Sequence, residues 1–344
     1  MTILVTGSAG HLGEALMRIL RAEGRRALGV DIKSSPFTDR VGSICDRDFV
    51  MRCMDGVRAV IHAATLHKPH IATHTNQAFV DTNVTGTLIL LEAAVAAGVE
   101  SFVFTSTTSA FGAALTPAPG EPAAWITEDV APIPKNIYGV TKVAAESLCE
   151  LFARQRCLPT VVLRTSRFFP EEDDDPAVRQ RYDIANVQAS EMLYRRVDLE
   201  DVVTAHLLAV EKAPELGFGR YIVSAITPFT PDDLTALRQD APGVVRRLFP
   251  EYEAHFAARG WSLFPQIDRV YVNRLATAEL GWRPRYDFRH VLECLRADRD
   301  FRSPLARAVG SKGYPAATEG PAPRCLRPFG ARAQLSPSGS GFPR

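Results

Sequence analysis

The 344-residue chain is 46% hydrophobic and 23% charged, with a formal net charge of +1. Its length exceeds what one core usually organises, so a globular protein with one large domain and a smaller one is expected. Lys and Arg are scattered rather than gathered into a stripe, which excludes nucleic acid as the expected partner, and six cysteines without a CxxC pair exclude a disulfide scaffold or thiolate metal centre.

Short β-branched or aromatic runs alternate with longer stretches of helical spacing. The pattern predicts strands over 3–6, 27–31, 59–63, 101–106 and 160–164, with helices over 11–23, 75–98 and 136–156 between them. Such alternation means an α/β fold, a doubly wound parallel sheet of Rossmann type with covering helices. Residues 1–165 are therefore expected to form a dinucleotide-binding domain, to which later segments return. Residues 166–302 form mainly a smaller substrate-facing α/β lobe, with further strands near 220–224 and 270–272. The acidic residues 171–175 read as a solvated loop, since like charges repel and stay wet. The last 42 residues turn to Pro, Gly, Ser, Ala and Arg with a net charge of +5, and 303–344 is expected to be disordered. No charged leader precedes a cleavable apolar stretch, and no apolar run approaches the ~20 residues of a bilayer span, so a cytoplasmic protein without a membrane partner is expected.

TGSAGHLG at 6–13 stands where the first strand ends and a helix begins. Gly7 permits a tight turn, Gly10 leaves space for a pyrophosphate against the backbone, and Gly13 lets the helix sit close to the sheet. The unpaired N–H groups of the helix start then face the phosphates. A glycine triplet alone also serves a purely structural turn. Its context is stronger: 18 residues past Gly13 the second strand ends at Asp31, whose carboxylate suits ribose hydroxyls and repels a 2′-phosphate. That favours NAD over NADP, with Lys33 close enough to soften the preference.

Tyr138 and Lys142 are four residues apart, which puts a phenol and an ammonium on one helix face about a turn apart. The ammonium can lower the phenol's pKa toward proton transfer, although an exposed helix face explains the spacing equally well. Ser106, Thr107 and Thr108 close the strand over 101–106, where parallel sheets bind ligands and where hydroxyls also serve as turn residues.

Together the motifs resemble the extended short-chain dehydrogenase/reductase family, also called the NAD-dependent epimerase/dehydratase family. The resemblance covers roughly residues 1–300 and rests on TGSAGHLG at 6–13, HAAT at 62–65, TNVTGT at 82–87 and FTSTTSAFG at 104–112. YGVTK at 138–142, VDLEDVVTAH at 197–206 and ELGWRP at 279–284 complete it. It implies an NAD-dependent oxidoreductase or epimerase acting on a secondary alcohol of a sugar or sugar-like substrate. It further implies Tyr138 as acid/base, Lys142 as its tuner and ribose ligand, Thr107 as the hydroxyl holding the substrate oxygen, and Asn83 near the nicotinamide. Cofactor contacts are implied at His11 and Leu12 of the glycine loop, Asp31 and Ile32 after the second strand, and Ile44 near adenine. Ala63, Ala64 and Thr65 would line the channel, and Thr105 would join Tyr138 and Lys142 beside the ribose. The family's long helices pair in homodimers, which the segments 75–98 and 136–156 would supply.

Two departures bear on the substrate. Arg164-Thr165-Ser166-Arg167-Phe168-Phe169-Pro170 replaces the Asn-x-Tyr-Gly-Pro stretch of nucleotide-sugar members, and Phe264-Pro265-Gln266-Ile267-Asp268-Arg269 stands where their Arg-Pro-Gly-Asp stretch holds a diphosphate. Thr107, Thr108, Arg167 and Arg269 are the expected substrate contacts, with Arg274 as a further candidate. Their guanidinium forks suit an anionic group. His62 and His67 lack carboxylate or thiol partners at ligand spacing and read as polar residues of the cofactor channel, not metal ligands. A cofactor-sensing regulator could keep this fold without turnover, but such a protein usually loses the acid/base pair that is present here.

Overall fold

The computed structural model describes residues 1–313 apart from 172 and 174. The chain begins β1 (Thr2–Thr6), α1 (His11–Ala22), β2 (Arg26–Asp31), β3 (Arg40–Val41), α2 (Arg47–Cys53), β4 (Val57–His62), α3 (Asn76–Val80) and α4 (Gly86–Ala96). It continues through β5 (Ser101–Thr107), β6 (Ala124–Ile126), α5 (Ile137–Arg156), β7 (Thr160–Thr165), α6 (Pro176–Arg181) and α7 (Ile184–Glu191). Then come α8 (Leu199–Leu216), β8 (Phe218–Val223), α9 (Leu234–Leu237), α10 (Ala241–Leu248), α11 (Tyr252–Ala257), β9 (Arg269–Tyr271), α12 (Phe288–Arg296) and α13 (Pro304–Val309).

Seven strands form one parallel sheet in the order β3-β2-β1-β4-β5-β7-β8. The order reverses beside β1, which is where a doubly wound sheet opens its ligand crevice. Central strands such as β1, with Ile3, Leu4 and Val5 fully buried, are apolar on both faces because helices cover both. One face carries α1 and α8 and the other α2, α4 and α5, each side with its own apolar core. A third core, built around Met192, Phe229, Phe249, Phe256 and Phe288, belongs to the smaller lobe, where β6 and β9 pair. The strand near 220–224 lies in the large sheet as β8 and not in that lobe.

Residues 76–96 form one continuous helical stretch in which an 18-residue window has a mean hydropathy of 1.3, which corrects the expectation that no apolar run approaches a span. Half of that window is buried within the fold, as a core helix is. The acidic loop also departs from expectation. Glu171 and Asp173 are not solvated, for they pair with His11 and Arg167 and their side chains are 9% exposed.

The disorder expected from Ser303 onward does not begin there. Ser303 caps α13 through the Ala306 amide and donates its own amide to Asp198, while Leu305 and Val309 enter the main core. The expectation for 314–344 lies outside the described residues. A chain ending at Arg302 should lose about 3 kcal/mol or more, from two aliphatic side chains worth ~1.5 to 3 kcal/mol each. Urea unfolding of the two chains measures this, and equal midpoints would show that α13 contributes nothing.

Candidate functional site

The glycine loop is built as its sequence requires. Gly7 has φ +75°, and a Cβ there would lie 2.8 Å from the Ala64 nitrogen. A Cβ on Gly13 would lie 1.9 Å from the Gly7 carbonyl oxygen, so only glycine lets α1 start against the end of β1. Around Gly10 only that carbonyl comes near, at 3.2 Å. Asp31 reaches back to the loop, accepting from the Ala9 amide at 3.0 Å and from the Lys33 amide at 2.8 Å. Loop, helix start and carboxylate thus stand together at the sheet's switch point, a set that fits a dinucleotide.

Tyr138 sits in the first turn of α5, whose cap is Asn136 accepting from the Gly139 amide at 3.0 Å. Thr107 ends β5, its hydroxyl accepting from the Ser109 amide at 3.1 Å. Burial pushes the phenol up to about 12, and the neighbouring Thr107 hydroxyl opposes that rise. Lys142, one turn along α5, donates to the Thr105 carbonyl at 2.6 Å and lies 4.0 Å over the Phe104 ring. Its burial lowers it to about 7, and the charge of Glu146 opposes that fall. The expected pull of the ammonium on the phenol is therefore not the dominant influence here, because Lys142 is turned to a backbone carbonyl and burial governs Tyr138.

Both Tyr138 and Thr107 line a cavity of about 340 Å³ at the carboxyl ends of β5 and β7. Thr108, His67, Arg167 and Arg269 line it as well, so all four expected substrate contacts meet there beside Tyr138. Arg274 is exposed and does not line it. Sequence reasoning missed Arg195, Lys135 and Lys68, which line the same cavity. The signal for Arg195 was present: Arg195 and Arg196 lie between the apolar Met192-Leu193-Tyr194 and Val197 with Glu191 one helical turn before, and charge among apolar residues is seldom kept without a partner.

Other expected residues take supporting positions. Asn83 does not line the cavity. Its carboxamide holds the Leu66 amide and carbonyl and the hydroxyls of Thr65 and Thr141, tying the loop after β4 to α5. His62 is a buried clamp and not a channel residue, bonded to Thr6 at 2.8 Å and Thr87 at 3.0 Å, and burial lowers it to about 3, so it is neutral. Ile44 is packed over Gly86, Thr105 bonds His206 at 2.9 Å, and Ile32 is exposed. His11 and Leu12 are buried at the start of α1, and Ala63 and Ala64 are half-buried beside Gly7. No cluster of metal-ligating side chains occurs among the described residues.

Comparison with known proteins agrees with this geometry. The family model of the NAD dependent epimerase/dehydratase family matches residues 3–223. A dTDP-glucose 4,6-dehydratase from Streptomyces antibioticus is 29% identical over 360 residues, spanning 93% of this chain and 100% of that enzyme. An NAD-dependent glucose-6-phosphate dehydrogenase from Haloferax volcanii is 32% identical over 161 residues, 42% of this chain and 60% of that one. The crystal structure of a short-chain dehydrogenase/reductase superfamily protein from Agrobacterium tumefaciens with bound NAD superposes with a TM-score of 0.63 at 26% identity. It covers 87% of this chain and 98% of that one.

Proposed function

The chain belongs to the NAD-dependent epimerase/dehydratase family, and on that footing we propose that it oxidises or epimerises a secondary alcohol of a sugar-like substrate, with Tyr138 as the acid/base. The observation that carries the reading is the placement of Tyr138 and Thr107 together in the wall of a cavity at the carboxyl ends of β5 and β7. The sugar class is supported by the dehydratase and the dehydrogenase among its relatives.

The glycine loop, the start of α1 and Asp31 would hold the dinucleotide. When bound, NAD supplies the hydride acceptor. Thr107 orients the substrate hydroxyl, and the Tyr138 oxygen takes its proton as the carbon is oxidised, then returns it on reduction. A phenol near 12 is protonated at neutral pH, which suits the donor half of that cycle directly. The base half requires the phenol to fall, and Lys142 is the cation on the same helix face able to lower it.

Two measurements test the reading. Titrating NAD and NADP should give tighter binding of NAD, because the Asp31 carboxylate repels a 2′-phosphate, and equal binding would remove that assignment. Incubation with NAD and a panel of sugars, followed by nicotinamide absorbance and product NMR, separates oxidation from epimerisation. A panel without any conversion would overturn the reading.

Assembly through α4 and α5 is proposed on the same basis. Val140 on α5 is half exposed although apolar, and α4 reads GTLILLEAAVA with a single charge. Light scattering should give a dimer mass, and a monomer at micromolar concentration would reject the pairing.

A further inference from the structure

We propose that the cavity beside Tyr138 and Thr107 takes a monosaccharide bearing one terminal carboxylate or phosphate, and that Arg195 and Arg269 hold that group. The inference rests on the reading above and narrows its substrate.

Charge is the first argument. Among the described residues, Lys68, Lys135, Arg167, Arg195 and Arg269 line the cavity with one carboxylate, Glu171. That carboxylate is already engaged, by His11 at 2.7 Å and by the Lys312 amide at 3.0 Å. Behind the wall, Asp173 and Glu191 answer Arg167 and Arg195, but Arg196 draws on Glu191 as well, at 2.8 Å. Arg269 has its sequence neighbour Asp268 at 2.9 Å, a partly exposed and hence screened partner. Among the described lining residues cations outnumber carboxylates, a setting that suits an anionic substrate.

Incomplete hydrogen bonding is the second argument. The Nε atoms of Arg195 and Arg269 are buried without a hydrogen-bond partner, and so is the hydroxyl oxygen of Ser166 on the same cavity. Groups bracing loops alone would be expected to be satisfied, since each unmet buried donor is costly. Arg195 follows α7, Arg269 opens β9 and Ser166 follows β7, so three separate elements converge on one place. A guanidinium fork matches a carboxylate and a phosphate alike.

Size is the third. About 340 Å³ lies near the lower end of the ~300 to 1,000 Å³ typical of small-molecule sites. It suits one sugar ring with a charged substituent better than a nucleoside diphosphate joined to a sugar.

The test compares kcat/KM for glucuronate and galacturonate, for glucose 6-phosphate, for the neutral hexoses, and for UDP-glucose and UDP-galactose. The uronates or the sugar phosphate should be preferred over the neutral parents, and which of the two is preferred identifies the anion. Because Arg195 neutralises the buried Glu191, Arg269→Gln carries the test, and the anion-to-neutral preference should fall by about ten- to a hundredfold with the change mainly in KM. Arg269→Lys should restore part of it, and Arg274→Gln, outside the cavity, should keep it. Preference for a UDP-sugar or a neutral hexose, or a preference unchanged in Arg269→Gln, would overturn the proposal while leaving the oxidoreductase reading in place. Conversion of no sugar of any class would overturn both.

Discussion

Tyr138→Phe is expected to lower turnover by ~10²- to 10⁴-fold, the usual contribution of a general acid/base, while NAD affinity stays close to that of the native chain. The substitution deletes one oxygen and keeps the ring, which is buried in the first turn of α5. The neighbouring Thr107 hydroxyl keeps the bond it accepts from the Ser109 amide. Loss of stability should therefore be small, and loss of rate can be assigned to proton transfer. Lys142→Ala should behave differently. It removes an ammonium that donates to the Thr105 carbonyl and covers the Phe104 ring, so it should weaken NAD, reduce turnover and lower the melting temperature together. Thr107→Ala should cost less than Tyr138→Phe, because Thr108 and Ser109 also line the cavity. Single-turnover reduction of bound NAD reads all three variants, and near-native turnover by Tyr138→Phe would remove the phenol from the mechanism.

The reach of sequence reasoning here follows the range of the interactions. Gly7, Gly13 and Asp31 were legible because a strand, a turn and a helix start are local, and their chemistry is set within some thirty residues. Tyr138 and Lys142 share one face of α5 as helical spacing anticipated, whereas Thr107 was singled out among the hydroxyls at the end of β5 by the family resemblance. Pairing of β6 with β9 was not, since three-residue strands carry too little periodicity and their partners stand more than a hundred residues apart. Arg195 was missed for a related reason. Its place in the cavity wall depends on how the segment after α7 folds over the end of β7, where the Arg167 amide bonds the Arg195 carbonyl at 3.3 Å. Asn83 was assigned to the nicotinamide through resemblance, and its hydrogen bonds, which tie the loop after β4 to α5, carried no signal in the sequence. Composition misread the start of the tail, because six residues of α13 supply only two apolar anchors, too few for a period to show.

Glu146 was invisible in the sequence for the same reason, and its replacement carries the largest expected loss of stability. It lies on the same face of α5 as Tyr138 and Lys142, one turn beyond the lysine, and is buried with Arg164 of β7 at 2.7 Å. Ser106 of β5 donates to it at 2.5 Å, and Arg220 of β8 approaches at 3.2 Å. One carboxylate thus joins the catalytic helix to three strands. Glu146→Gln leaves the Arg164 guanidinium buried beside a neutral amide, and breaking one side of a buried pair costs ~3 to 5 kcal/mol, a large part of a typical domain's ~5 to 15 kcal/mol. Urea unfolding should show that loss. Replacing both members, as Glu146→Leu with Arg164→Met, should recover much of it, since no unpaired charge is then left inside. A second effect follows from Lys142, whose ammonium is favoured by the Glu146 charge against burial. Removing that charge lowers the lysine's pKa further below about 7, so it loses its proton at a lower pH. Activity that needs the ammonium should then fail earlier as pH rises, and the alkaline limb of the kcat profile should move toward acid. A Glu146→Gln enzyme with native stability and an unmoved alkaline limb would show that the buried pair neither braces α5 nor supports Lys142.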